Sequence, residues 1–187
     1  MLTIIIRHGE TLENRNRILQ GHLPGQLTEI GKRQARDLGL KLLKYWRFDK
    51  IISSDLERAK ETADLISKEL PPCKILHEKQ LRERYYGDLE GKHVSRLKRF
   101  LVENKKDMRG LRIPDGEKYE DFELRITSFY TRLIAGNPDQ KILLVTHAGV
   151  MKLILEKILV RTWWEIGNCE GFRISCTVNE KIEVHKL

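Results

Sequence analysis

Apolar residues along the chain follow two spacings. Short runs such as Ile4-Ile5-Ile6, Ile51-Ile52 and Ile142-Leu143-Leu144-Val145 read as buried strands, whereas longer stretches with apolar positions three and four apart read as helices. The runs predict strands at the amino terminus, over 50–53, over 74–77 near a sheet edge, and over 141–146. Helical spacing predicts a helix from an N-cap at Thr28 to about Tyr45, with Ala35, Leu38 and Leu42 on one face. A second follows Ser54-Asp55, carries Ala59, Ala63 and Ile66, and is stopped by Pro71-Pro72. Three more are predicted from about His93 to Arg112, from Tyr119 to about Ala135 with Phe122, Ile126, Phe129 and Leu133 inward, and from Val150 to Leu159. Residues 169–178 and 181–185 predict a closing hairpin around Asn179-Glu180. Residues 10–26 and 81–91 keep no period and read as irregular. Strands alternating with helices imply an α/β fold of three layers, α/β/α, around a mostly parallel central sheet.

The 187 residues fit one domain over 1–187 with one main core, and no linker divides them. A net charge of +8 favours anionic partners without choosing among metabolites, nucleic acid and acidic lipid. Cys73, Cys169 and Cys176 form neither a disulfide framework nor a zinc pattern, which suits a reducing cytoplasm. No apolar run approaches the roughly 18 residues of a membrane span, and Met1 leads directly into a strand with no apolar leader, so no membrane partner is expected. Charged residues make up 33% of the chain against eleven Asn and Gln, a composition in the direction of heat-stable proteins.

Two strands end alike. The first runs into Arg7-His8-Gly9, and the strand over 141–146 runs into His147-Ala148-Gly149. Ligands in open α/β sheets collect beyond the carboxyl ends of parallel strands, so neighbouring strands of this kind would face two imidazoles across one pocket. Arg58 falls in the first turn of a helix that starts at a third strand end, where free N–H groups and the helix dipole suit an anion.

The order of these residues resembles the histidine phosphatase superfamily, also called phosphoglycerate mutase-like. Arg7-His8-Gly9-Glu10-Thr11 with Asn14, Gln20-Gly21, Leu27-Thr28, Gly31 and Gln34-Ala35 resembles its first motif. Ser53-Ser54-Asp55-Leu56 with Arg58-Ala59 and Thr62-Ala63 resembles the second; Leu81, Glu83, Gly87, Glu90 and Gly91 resemble the third; Gly116-Glu117 and Thr146-His147-Ala148-Gly149-Val150 resemble the last two. The resemblance implies the same architecture, with a small helical cap over the site from about 84 to 118. It implies His8 as nucleophile, Glu83 as general acid, and Arg7, Arg58 and, if protonated, His147 around the phosphoryl group. Asn14, Gln20, the backbone at Gly21 and Ala148 would contact substrate, while Glu10 and Thr11 would hold the loop.

That set supplies what phosphoryl transfer needs: an in-line nucleophile, positive charge around the equatorial oxygens and a proton for the departing alkoxide. A neutral imidazole attacks phosphorus without a base, and its other ring nitrogen is expected to donate to a backbone carbonyl of the glycine turn. No metal is expected, because carboxylates and histidines do not recur at ligand spacings, and no cofactor is implied.

The chain departs from the family pattern at Leu89, where a tryptophan is common, at Lys118, where a serine is common, and at 22–28, which lacks an acidic residue before Leu-Thr. These positions bear on substrate choice. A short cap, and a chain that stops at Leu187 just after a strand, would leave water access to an intermediate. The expected function is therefore a metal-independent phosphatase for a small phosphorylated metabolite. A phosphoglycerate mutase and a non-catalytic phosphate- or nucleic-acid-binding module are the alternatives. The basic run from Arg96 to Arg112 is read first as a solvated face, nucleic acid is disfavoured as a partner, and a homodimer is left open.

Overall fold

The computed structural model describes residues 1–159, 165–176 and 182–187. Its elements run β1 (Leu2–Arg7), α1 (Leu12–Arg15), α2 (Glu29–Leu43), β2 (Lys50–Ser54), α3 (Glu57–Ser67), β3 (Lys74–Glu78), α4 (Val94–Glu103), α5 (Tyr119–Gly136), β4 (Lys141–Thr146), α6 (Ala148–Leu159), β5 (Gly171–Cys176) and β6 (Ile182–Lys186). The strands form one sheet in the order β3-β2-β4-β1-β5-β6. The four strands from β3 to β1 pair in parallel, and β5 and β6 add antiparallel.

Alternation along the strands builds the layers. Ile5, Ile52, Ile142 and Leu144 point to one face and pack with Phe122, Ile126, Phe129 and Leu133 of α5 and with Val150, Met151 and Ile154 of α6. Ile4, Ile6, Ile51, Leu143 and Val145 point to the other and meet Ala35, Leu38 and Leu42 of α2 and Ala59, Ala63 and Ile66 of α3. A third, small cluster of Leu89, Leu111 and Ile113 with Leu97, Phe100 and Leu101 holds the segment containing α4 together.

Gly9 and Gly31 let the loop after β1 lie against the start of α2. A Cβ at Gly31 would stand 2.1 Å from the carbonyl oxygen of Glu10, and one at Gly9 would stand 2.6 Å from that of Gly31. Glu10 ties the same junction, since its side chain accepts from Arg15 at 2.8 Å and Thr28 at 2.7 Å while its N–H donates to Gln34 at 3.0 Å.

Three expectations shift. Residues 10–26 are not wholly irregular, because Thr11 and Asn14 form a reciprocal capping box around α1. The basic helix stops at Glu103 rather than Arg112: Lys105 takes a left-handed φ of 48°, and Asp107 accepts the N–H groups of Arg109 and Gly110. Helix α6 begins at Ala148, immediately after His147. The Asn179-Glu180 turn lies outside the described residues, although β5 and β6 on either side of it pair as an antiparallel couple. Cys73 and Cys169 are free thiols, and no helix among the described residues is long and apolar enough to cross a membrane.

Candidate active site

Parallel pairing of β1 with β4 puts Arg7 opposite Thr146, and the next residue on each strand is a histidine. The N–H of His8 donates to the Thr146 carbonyl at 2.9 Å, and the two imidazole centroids lie 5.2 Å apart, tilted by 59°. Both histidines are buried. The cavity at His8, of about 170 Å³, is lined among others by Arg7, His8, Asn14, Gln20, Gly21, Arg58, Glu83 and Ala148. Seven of the residues singled out in the sequence thus meet His8 in one cavity, and His147 abuts it through the ring contact.

His8 has a defined tautomer. Its Nδ1 lies 2.8 Å from the carbonyl of Gly9, a pure acceptor, so Nδ1 carries the proton and Nε2 the lone pair. The Nε–H of Arg58 donates to that Nε2 across 3.3 Å. Burial, together with the guanidinium charges of Arg58 and Arg7, holds the imidazole well below the ordinary histidine range, and the ring is neutral at neutral pH. Thr62 locks the turn after His8 to helix α3: its hydroxyl accepts from the N–H of Gly9 at 3.0 Å and donates to the carbonyl of Arg58 at 2.7 Å.

The arginines are placed by loop carbonyls. Arg58 donates to Leu23 at 2.9 Å and Gly21 at 2.7 Å, and burial brings its pKa down to about 10, so it stays charged. Arg7 donates to the Ile166 carbonyl at 2.6 Å. Neither guanidinium offers its whole fork to the cavity; each uses part of its donors to fix its own position.

His147 is enclosed by protein. Both ring nitrogens are buried without a hydrogen-bond partner among the described residues, and burial with the nearby charge of Arg58 depresses its protonation well below the usual value. It is therefore neutral at neutral pH, so the protonation on which its positive contact was conditioned is not met by the protein's own groups.

Glu83 reaches the cavity from the segment after β3. Its carboxyl oxygens accept the N–H of Arg84 and of Gly149, each at 2.9 Å, the latter in the first turn of α6. A Cβ at Gly149 would lie 2.1 Å from a Glu83 carboxyl oxygen, so a larger residue here obliges that carboxylate to move. The backbone carbonyl of Glu83 is held as well, by His22 at 2.8 Å and Arg125 at 3.4 Å. Among the described residues no three His, Cys, Asp or Glu side chains gather as a metal-ligand set.

Three functional neighbours were not singled out from sequence. Asn168 donates to the carbonyl of His8 at 3.1 Å and to Asn14 at 3.0 Å, reaching back 160 residues to His8. Arg84 is buried and donates to the carbonyls of Glu117, Met108 and Leu111, pinning the cap segment. His22 supports Glu83 as described. None has a local signal, because each acts on backbone brought close only by folding.

The chain is a member of the histidine phosphatase superfamily, branch 1, whose sequence model matches residues 3–183. It is 33% identical over 195 residues to the adenosylcobalamin/alpha-ribazole phosphatase of Salmonella typhimurium, covering 95% of each chain. It is 34% identical over 176 residues to a broad-specificity phosphatase of Saccharomyces cerevisiae, covering 91% of this chain and 73% of the relative. The fold superposes with a TM-score of 0.88 and 25% identity on the phosphoglycerate mutase of Bacillus anthracis, covering all of this chain and 92% of that one. The relatives named phosphatases support a phosphatase.

Proposed function

We propose that the protein is a metal-independent phosphatase that hydrolyses a small phosphomonoester in the cytoplasm through a phosphohistidine on His8. The observation that carries this reading is the neutral His8 ring, with Nδ1–H committed to Gly9 and the Nε2 lone pair beside two guanidinium groups in the cavity. Free Cys73 and Cys169 fit a reducing compartment.

In the first half-reaction Nε2 of His8 attacks phosphorus in line, a P–N bond forms, and the P–O bond to the alcohol breaks. The electron pair of that bond leaves with the alkoxide, which takes a proton from Glu83. In the second, water attacks the same phosphorus, Glu83 accepts its proton, and the P–N electron pair returns to Nε2. Arg7, Arg58 and the N–H of His147 stabilise the charge that builds on the equatorial oxygens, a role that a divalent ion fills in other phosphoryl-transfer sites. Once a dianionic phosphoryl group enters, its charge opposes the burial and the Arg58 repulsion that keep His147 unprotonated.

A phosphate-release screen over phosphorylated metabolites, run with and without EDTA, tests the assignment. Release that survives chelation and vanishes in His8→Ala is expected. Loss of release on chelation overturns the metal-free reading, and isomerised product without inorganic phosphate points to a mutase.

A further inference from the structure

The catalytic cavity shares Glu83, Tyr86 and Ala148 with a second cavity of about 430 Å³, which lies between the cap segment, α5 and α6. That volume is in the range of about 300 to 1,000 Å³ that small-molecule sites occupy. Half of its remaining lining is apolar or aromatic, Met108, Tyr119, Phe122 and Leu153, beside Arg84, Gly149, Lys152 and Glu156.

The charged groups in the second cavity are already occupied. Arg84 donates to three backbone carbonyls and lies 5.9 Å from the ring centroid of Tyr86 and 5.6 Å from that of Tyr119. Glu156 accepts from Arg109 at 3.1 Å, and Lys152 also has a partner. Basic side chains from α4 do not enter: Lys98 and Arg99 are exposed, and Val94 is the residue of that helix that lines the catalytic cavity. An anion placed here would be desolvated beside the carboxylate of Glu156 without an uncommitted cation to meet it, whereas a flat ring would gain aromatic contact.

We infer that this second cavity receives the leaving group, and that it selects phosphomonoesters whose alcohol carries a flat, uncharged ring over those bearing a second phosphate or a carboxylate. The inference rests on the phosphatase reading above and on Glu83 as the acid: a phosphoryl group held by His8 and Arg58, with its bridging oxygen turned toward Glu83, points its alcohol past that residue into the aromatic walls. Tyr119 and Met108 are then the specificity-determining side chains, since Phe122 is buried within the main core whereas Tyr119 is half-buried and packs only against its edge.

The test compares kcat/KM for benzyl phosphate, glycerol 1-phosphate and fructose 1,6-bisphosphate in the wild type, Tyr119→Ala and Tyr119→Phe. The wild type is expected to favour the benzyl ester by about tenfold or more, the usual worth of one aromatic stacking contact. Tyr119→Ala lowers the benzyl value about tenfold more than the glycerol value, through KM, and Tyr119→Phe retains the preference. A wild-type preference for the bisphosphate, or an equal loss on all three esters in Tyr119→Ala, overturns the inference. Calorimetry with benzylphosphonate and methylphosphonate reads the cavity without turnover. Absence of phosphate release with tighter benzylphosphonate binding ends the phosphatase reading and upholds the ring site, while equal phosphonate affinities overturn the ring site whatever the turnover.

Discussion

The Nε–H of Arg58 donates to Nε2 of His8 across 3.3 Å, so the nitrogen that carries the nucleophile's lone pair is hydrogen-bonded by a group that also repels a proton from it. An arginine in that place does two things. After burial, its charge does most to keep the imidazole neutral and therefore nucleophilic, and in the proposed mechanism its remaining N–H groups meet the phosphoryl oxygens.

Replacing Arg58 with Gln separates these effects. The loss of one charged donor is expected to lower kcat by about 10² to 10³, as for other transition-state donors. Because the charge of Arg58 depresses the His8 pKa, its removal lets His8 protonate at higher pH, and the acid limb of the kcat/KM profile moves upward. An acid limb that stays in place would show that Arg58 does not set the protonation of the nucleophile.

Gly149→Ala probes the seat of Glu83. The added methyl would sit 2.1 Å from a carboxyl oxygen, and the bond from the Gly149 N–H could not survive in its present form. The expected result is a loss of about 10² to 10⁴ on alkyl phosphates, which need the acid, and a much smaller loss on p-nitrophenyl phosphate, whose leaving group does not. Equal losses on the two ester types would remove Glu83 from the acid role.

The two buried histidines also make folding stability depend on pH. Both rings have pKa values held well below the unfolded value of about 6.5, so beneath that pH the unfolded chain binds protons that the folded chain refuses. Stability contributed this way is fully present above about pH 6.5 and falls as pH drops through it, by about 1.4 kcal/mol per pH unit for each ring. Carboxylates with lowered pKa, such as Asp55 against Arg82, act only at lower pH, below the ordinary aspartate value of 3.8. Denaturant midpoints measured from pH 7.5 to 5 should therefore decline below 6.5, with a shallower slope in His147→Asn. A flat profile over that interval would mean the rings are not held neutral.

Much of this arrangement was legible in the sequence because it is written in strand ends. The runs before His8 and His147 are apolar and β-branched enough to be buried neighbours, and parallel register then brings the two rings together without further information. Arg58 was legible for a similar reason, as a first-turn residue after β2. The α1 turn could have been read from Thr11 and Asn14, whose spacing is that of a capping box, but the glycines around it masked the signal. Asn168, Arg84 and His22 had no pattern to carry them, since their partners are the carbonyls of His8, Met108 and Glu83, and any residue has a carbonyl. The basic run misled in length: its charges suggested one long helix, and the turn made by Asp107 and Gly110 was outweighed by them.

The most direct measurement is to quench the enzyme in denaturant during turnover of a ³²P-labelled ester and to map the label by mass spectrometry and by its stability. The account predicts an acid-labile, alkali-stable phosphoryl group on the peptide containing His8, absent in His8→Ala. Label on another side chain, or turnover of a good substrate that passes through no phosphoenzyme, would contradict it.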